Sequence, residues 1–158
     1  MLFPKSGGIT MEPKKDEYEI YAHICEERKQ TLSVHSLHAA ELCGTADAAK
    51  PFPTLAYLAG LLHDMGKGTK AFQEYLLLAS EHPGQIRNHQ DHAATGAIYC
   101  WERWKERDML TAQILALCIC SHHTGLPDCI DETGGSEFLG KLSEDKDTLH
   151  YDEAVEIC

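Results

Sequence analysis

The stretch PTLAYLAGLLHD, residues 53–64, carries an apolar side chain at almost every position and then ends in a histidine and an aspartate. Proline suits the first turn of a helix, so this stretch predicts a helix that follows Pro51 and Pro53 and stops at Gly66. A second stretch, TAQILALCICSHH at residues 111–123, also joins an apolar run to two polar ligand-type residues. Helices without a polar face belong at the centre of a domain. Both polar pairs are therefore predicted to lie in the interior.

Three more helices are predicted around these two. The first spans residues 31–44, is stopped by Gly44, and has an apolar side formed by Val34, Leu37 and Leu42. The other two span residues 69–80 and about residues 91–107. No segment alternates apolar and polar residues as a half-buried strand does, so the predicted fold class is all-α.

Composition and charge narrow the possible functions. The 158 residues suffice for one domain, and the composition is that of a soluble globular protein. No signal peptide or membrane-spanning stretch is apparent, so a cytoplasmic location is expected. The formal net charge is −11, and no cluster of five basic residues occurs. The isolated chain is therefore expected to bind nucleic acid poorly.

Three regions are predicted along the chain. Residues 1–17 are rich in proline, glycine and lysine and indicate a flexible leader. Residues 18–142 contain the helical pattern and form the folded domain. Residues 143–158 form an acidic C-terminal segment that is predicted to be a solvated helix.

The polar pairs at the ends of two apolar helices suggest a metal site. One histidine alone is more often a core residue, but several that meet where helices pack are costly to bury unless they are paired or bind a metal. Imidazole and carboxylate ligands suit Mn, Fe, Co, Ni or Zn. A carboxylate can bridge two metals, so Asp64 is predicted to do so, with ions about 3.5–4 Å apart that clamp a phosphoryl group and generate hydroxide. For Lys67, contact with a phosphate oxygen and a solvated surface position both remain open.

Four motifs follow one another along the chain: His35, HDMGK at residues 63–67, DHAATGA at residues 91–97 and SHHTGLPD at residues 121–128. In this order they resemble the HD nuclease domain of the type I CRISPR-associated helicase-nuclease, within the HD phosphohydrolase superfamily. The stretches YAHI and QTLSVH before the second motif are similar to the beginning of that domain. The resemblance covers roughly residues 18–142.

The resemblance implies a compact HD-type helical bundle with a central metal site that holds up to two divalent ions, Mg included. One ion would be bound by His35, His63 and Asp64, and the other by Asp64, His92, His122 and His123. The implied activity is metal-dependent cleavage of single-stranded DNA in CRISPR interference, with Asp64 and Lys67 as the catalytic residues. A helicase module on the same or a partner chain would deliver the strand, and a guide-RNA surveillance complex would supply the target. No membrane is involved.

One departure from the family pattern concerns the first metal. The family completes that site with an Asp well beyond the His-His motif, whereas the late aspartates here, among them Asp145, lie in the acidic segment. The first site is therefore expected to be weaker and the nuclease slower, and the chain is expected to be part of a longer protein or a separate subunit. His23 is expected to contact the metal ligands and not the metal itself. The other histidines are interpreted as packing or solvated residues: His38, His82, His89 and His150.

Two alternatives remain. The same site would serve an HD phosphohydrolase that acts on small nucleotides or phosphomonoesters, because a shared fold does not decide the substrate. A non-catalytic scaffold with a degraded site is the other. The metal content of the purified protein separates the scaffold from the two enzymes.

Overall fold

The computed structural model describes residues 19–25, 28–86 and 90–158. These residues are mostly helical, which confirms the predicted fold class. The helices are α1 (Leu32–Thr45), α2 (Pro53–Leu62), α3 (Lys70–Glu81), α4 (Ala93–Trp104), α5 (Met109–Cys120), α6 (Glu137–Leu142) and α7 (Tyr151–Ile157). The predicted leader at residues 1–17 lies outside the described residues.

A small antiparallel sheet precedes the helices, which the sequence pattern did not indicate. Its strands are β1 (Tyr21–Cys25) and β2 (Arg28–Thr31). The hairpin is short, and its strands show no alternation of apolar and polar residues that could be recognised in advance. The helix α1 begins immediately after β2. Its first residue, Leu32, donates a backbone hydrogen bond to the carbonyl oxygen of Ile20.

The helix starts are set by local hydrogen bonds. Thr31, Thr69 and Asp108 each accept a backbone N–H from the first turn of α1, α3 and α5, as N-cap residues do. Asp91, which the sequence suggests as the N-cap of α4, is one residue too early: the N-cap is His92, and the Asp91 carboxylate accepts the backbone N–H of Ala93. Helix ends were predicted less well: α1 continues through Gly44 to Thr45, and α2 ends at Leu62, before the His-Asp pair.

The face that α1 turns inward differs from the prediction. Val34, Leu37 and Leu42 are exposed, and the buried residues of α1 are Leu32 and Ala40. The reason is the close contact between α1 and α2: a Cβ placed on Gly60 would lie 2.6 Å from the carbonyl oxygen of Ala39. Two helix backbones come this close only where the facing residues are small, so the large side chains of α1 point away.

The main core lies between α4 and α5. It contains Ala97, Cys100, Leu115, Ile119 and Phe138, with α2 packed against one side. Burial raises the pKa of the Cys100 thiol to about 12, so this cysteine stays protonated. The prediction that both apolar helices are central is right for one face of α5, but in α2 Gly60 alone is buried.

Only Tyr151–Ile157 of the acidic C-terminal segment is helical, and this helix packs one side against the domain instead of lying free in solvent. Leu149, Tyr151 and Ala154 are buried, and the Tyr151 hydroxyl donates to Glu102 on α4 at 3.2 Å. The carboxylate of Glu153 accepts the Lys70 backbone N–H at the start of α3. Tyr151, Ala154 and Glu153 therefore hold α7 against the domain, whereas Asp152 and Glu156 are exposed.

Among the residues described, no helix combines the length and the apolar character that crossing a membrane requires.

Candidate metal centre

The six side chains predicted to bind metal come together at one point in the fold, although they come from four separate places in the chain. His35 is on α1, His63 and Asp64 follow α2, His92 immediately precedes α4, and His122 and His123 follow α5. The ends of α2 and α5 and the start of α4 thus meet beside α1. Asp64 lies at the centre of the group and is 1% exposed.

The two oxygens of Asp64 face two different sets of histidines. Oδ2 lies 2.9 Å from Nε2 of His35 and 3.2 Å from Nε2 of His63. Oδ1 lies 3.2 Å from Nε2 of His92 and 3.6 Å from Nε2 of His122. His123 joins the second set through Nε2, which is 2.9 Å from Nε2 of His92. A carboxylate placed between two nitrogen sets in this way is able to bridge two cations.

Backbone carbonyls fix the orientation of two of the rings. Nδ1 of His63 lies 2.8 Å from the carbonyl oxygen of Gly60, and Nδ1 of His122 lies 2.6 Å from that of Ile119. A carbonyl oxygen only accepts hydrogen bonds, so both Nδ1 atoms carry a proton and donate it. In a neutral ring Nε2 is then the nitrogen left free for a metal, and carbonyls that accept from the other nitrogen orient metal-binding histidines in this way.

Two buried atoms of the centre are better suited to binding a metal ion than to forming a hydrogen bond with each other. Oδ1 of Asp64 and Nε2 of His122 have no hydrogen-bond partner among the described residues. Both present lone pairs, and a buried polar atom left without a partner costs about 1–3 kcal/mol. A cation between them would satisfy both, so the residues present fit a bound divalent metal.

The electrostatics of the site favour the ionised form of Asp64 and act differently on the histidines around it. Burial opposes ionisation of Asp64, but the imidazoles of His122, His63 and His92 outweigh it and hold the pKa of Asp64 well below its ordinary value. Burial also lowers the pKa values of His35 and His123. At neutral pH the carboxylate is therefore ionised and these two imidazoles are neutral. At His63, by contrast, burial is outweighed by the hydrogen bond to Asp64 and by the charge of Asp64, so its pKa is raised.

Lys67 is not a solvated surface lysine, so one of its two interpretations is wrong. It belongs to a 3₁₀ turn, Met65–Gly68, and is 6% exposed. Its Nζ lies 2.9 Å from Oδ2 of Asp64 and donates to the carbonyl oxygen of Ala22 at 3.4 Å. Only the interpretation that places its ammonium inside the site remains.

Gly66 allows the 3₁₀ turn to approach His92. A Cβ at this position would lie 2.5 Å from the carbonyl oxygen of His92 and 2.8 Å from its Cα. The function of Gly66 is thus close approach of two backbone segments, whereas the sequence had indicated a helix stop.

We expect Gly66→Ala to push His92 away from Asp64 and to weaken metal binding. Overpacking of this kind costs about 1–3 kcal/mol of unfolding free energy. Thermal unfolding and metal content of the variant measure both effects. Gly140→Ala is the matched control, because a Cβ there meets nothing within 4 Å. Equal melting temperatures and metal contents for the two variants would contradict this account.

The remaining polar candidates divide clearly. His38, His82 and His150 are exposed and outside the groups of side chains that could hold a metal, and His89 lies outside the described residues. Asp145 is also outside these groups, and its carboxylate accepts a hydrogen bond from the Thr148 hydroxyl. His23, by contrast, joins His35 and Asp64 in a second such group. The YAHI stretch was the signal in the sequence that pointed to it.

Comparison with known proteins identifies the domain. The family model described as HD domain matches residues 32–149, a range that contains α1 to α6 and all six predicted ligands. No curated protein matches the chain.

Proposed function

Because the chain belongs to the HD domain family, which implies a metal-dependent phosphohydrolase, we propose that it cleaves the phosphodiester bonds of single-stranded DNA as the nuclease of a type I CRISPR interference system. The observation that carries this proposal is the division of the Asp64 oxygens between two histidine sets. A centre for two cations suits in-line displacement at a phosphodiester, where both the attacking and the leaving oxygen need stabilisation.

In the proposed reaction the protein side chains hold the metal ions and orient the phosphate of the substrate. His35 and His63 would hold one divalent ion, and His92, His122 and His123 the other, with Asp64 shared between them. When bound, these ions supply Lewis acidity and a hydroxide nucleophile at neutral pH. The Lys67 side chain lies beside Asp64 and would offer its donors to a non-bridging phosphate oxygen. Mn, Fe, Co, Ni or Zn suits these ligands, and Mg is also compatible with the shared carboxylate.

Support for a DNA substrate comes from the sequence around the His122-His123 pair, SHHTGLPD, which resembles the nuclease family. His123 is the exposed member of its set, so substrate would approach from that side. With a net charge of −11, the domain itself attracts a polyanion poorly. We therefore propose that a helicase module and a guide-RNA surveillance complex bring the strand to it.

The same charge favours one competing function. An acidic surface is less of an obstacle to a small nucleotide or phosphomonoester than to a DNA strand, because fewer phosphates must be bound. The alternative proposal is therefore an HD phosphohydrolase for small phosphorylated substrates, and a non-catalytic scaffold remains the third.

The test is an assay of the metal-loaded chain on single-stranded DNA, duplex DNA, single-stranded RNA and nucleoside monophosphates. We expect Mn²⁺ or Co²⁺ to support cleavage of single-stranded DNA, a chelator to abolish it, and added metal to restore it. Release of phosphate from the monophosphates without any DNA cleavage would transfer the proposal to the small-substrate enzyme. If the chain binds no metal, the non-catalytic scaffold would be the remaining proposal.

A further inference from the structure

The two halves of the centre differ in the kind of groups that surround each oxygen of Asp64. The half at Oδ1 contains three imidazoles. The half at Oδ2 contains His35, His63 and the Lys67 ammonium, and Asp64 is the one carboxylate in either candidate group among the described residues. This is the half in which a second carboxylate was expected from the family pattern.

His23 lies beside this half. A nitrogen of His23, a nitrogen of His35 and an oxygen of Asp64 all fall within 4.8 Å of one another. The His23 and His35 rings meet edge to face, with centroids 4.7 Å apart. Ligands on opposite sides of one metal, each at about 2.0–2.2 Å, are separated by about 4.0–4.4 Å. A small rotation of the exposed His23 ring would therefore bring all three atoms to one ion.

An irregularity in the hairpin brings His23 to this position. Tyr21 pairs with Thr31 and His23 pairs with Gln30, so the register shifts at Ala22. Such a bulge turns the following side chain and is frequent next to active sites. Ala22 is buried, and its carbonyl oxygen accepts from Lys67.

Gln73 on α3 holds the bulged strand in place. Its Oε1 accepts the Tyr21 backbone N–H at 2.9 Å, and its Nε2 donates to the carbonyl oxygens of Tyr21 at 2.9 Å and Lys67 at 2.7 Å. One side chain thus links β1 to the turn that carries Lys67. The backbone that precedes His23 is therefore fixed relative to the turn that carries Lys67.

We propose that His23 is a metal ligand that completes the Oδ2 half of the centre, in the role that a carboxylate was expected to take. The inference rests on the proposed metal-dependent function. Imidazole favours Zn, Ni and Co, whereas carboxylate favours Mg and Mn. A histidine in place of an aspartate therefore makes this half of the centre prefer Zn, Ni or Co. It also allows the chain to hold two ions without an aspartate beyond the His-His motif.

The experiment is a titration of the full chain, freed of metal, with Co²⁺ by calorimetry and visible absorption. We expect two ions per chain for the wild type. His23→Phe keeps the ring packing against His35 but removes both nitrogens, and we expect it to weaken the second ion by about 100-fold or more, since loss of even an outer partner of a ligand costs 10–100-fold. His23→Asn is a second variant in case the phenylalanine disturbs the hairpin. His38→Phe, an exposed position on α1, is the control.

The outcomes separate this inference from the proposed function. Two ions with unchanged affinities in both His23 variants would overturn the role of His23 and leave the metal-dependent function intact. One ion in the wild type and in the variants alike would do the same. A wild type that binds no Co²⁺ would instead refute the proposed function itself.

Discussion

Asp64→Ala is expected to abolish phosphodiester hydrolysis and to remove most of the bound metal, while the chain remains helical. Asp64 is the carboxylate that both halves of the centre share, with imidazole nitrogens 2.9–3.6 Å from its oxygens. A neutral imidazole has a single nitrogen lone pair and cannot bridge two ions in its place. The measurements are the rate of single-stranded DNA cleavage, metal content by mass spectrometry and far-ultraviolet circular dichroism.

Two further variants sharpen this prediction. Asp64→Asn keeps the size of the side chain and removes its charge, so an equal loss of activity assigns the effect to the carboxylate. In the metal-free protein Asp64→Ala leaves the Lys67 ammonium buried without its partner, which costs up to about 3–5 kcal/mol of unfolding free energy. The double variant Asp64→Ala/Lys67→Met is expected to recover part of that loss. DNA cleavage at the wild-type rate by the alanine variant would refute the assignment.

Lys67→Met is expected to lower kcat by about 10²–10³-fold, the range found when one preorganised donor is removed from a site that stabilises developing negative charge. Metal content is expected to stay unchanged or to rise. The ammonium lies 2.9 Å from Oδ2 of Asp64, where it competes with a cation for the same oxygen. Methionine fills a similar volume, so the 3₁₀ turn keeps its packing.

Steady-state kinetics and calorimetry on the same preparation measure both parts of this prediction. The matched control is Lys70→Met, because Lys70 is three residues away and exposed. If metal affinity and kcat fall together in Lys67→Met, the lysine acts only by holding Asp64 in place. A lowered kcat with intact metal binding supports its contact with the phosphate.

The approximate positions of α1 to α5 and the identity of the ligand candidates were predictable from the sequence alone, whereas α6 was not predicted. N-cap residues such as Thr31 and Thr69 act on backbone groups two or three positions away, so their effect can be predicted locally. The apolar runs before His63-Asp64 and His122-His123 likewise show in the sequence which polar residues follow helices with interior faces. The family match at residues 32–149 confirms the resemblance to the HD phosphohydrolase superfamily.

The tertiary structure alone decided which faces are buried and which groups meet. Gly60 lets α2 approach the backbone of Ala39, and this contact exposes the leucines of α1 that the sequence pattern had placed inside. Gln73 holds Tyr21 across a separation of 52 residues and so places His23 beside the centre. The burial of Lys67 against Asp64 also depends on Ala22, 45 residues earlier. Periodicity and capping describe interactions within a few residues, whereas these contacts form only when distant segments have packed.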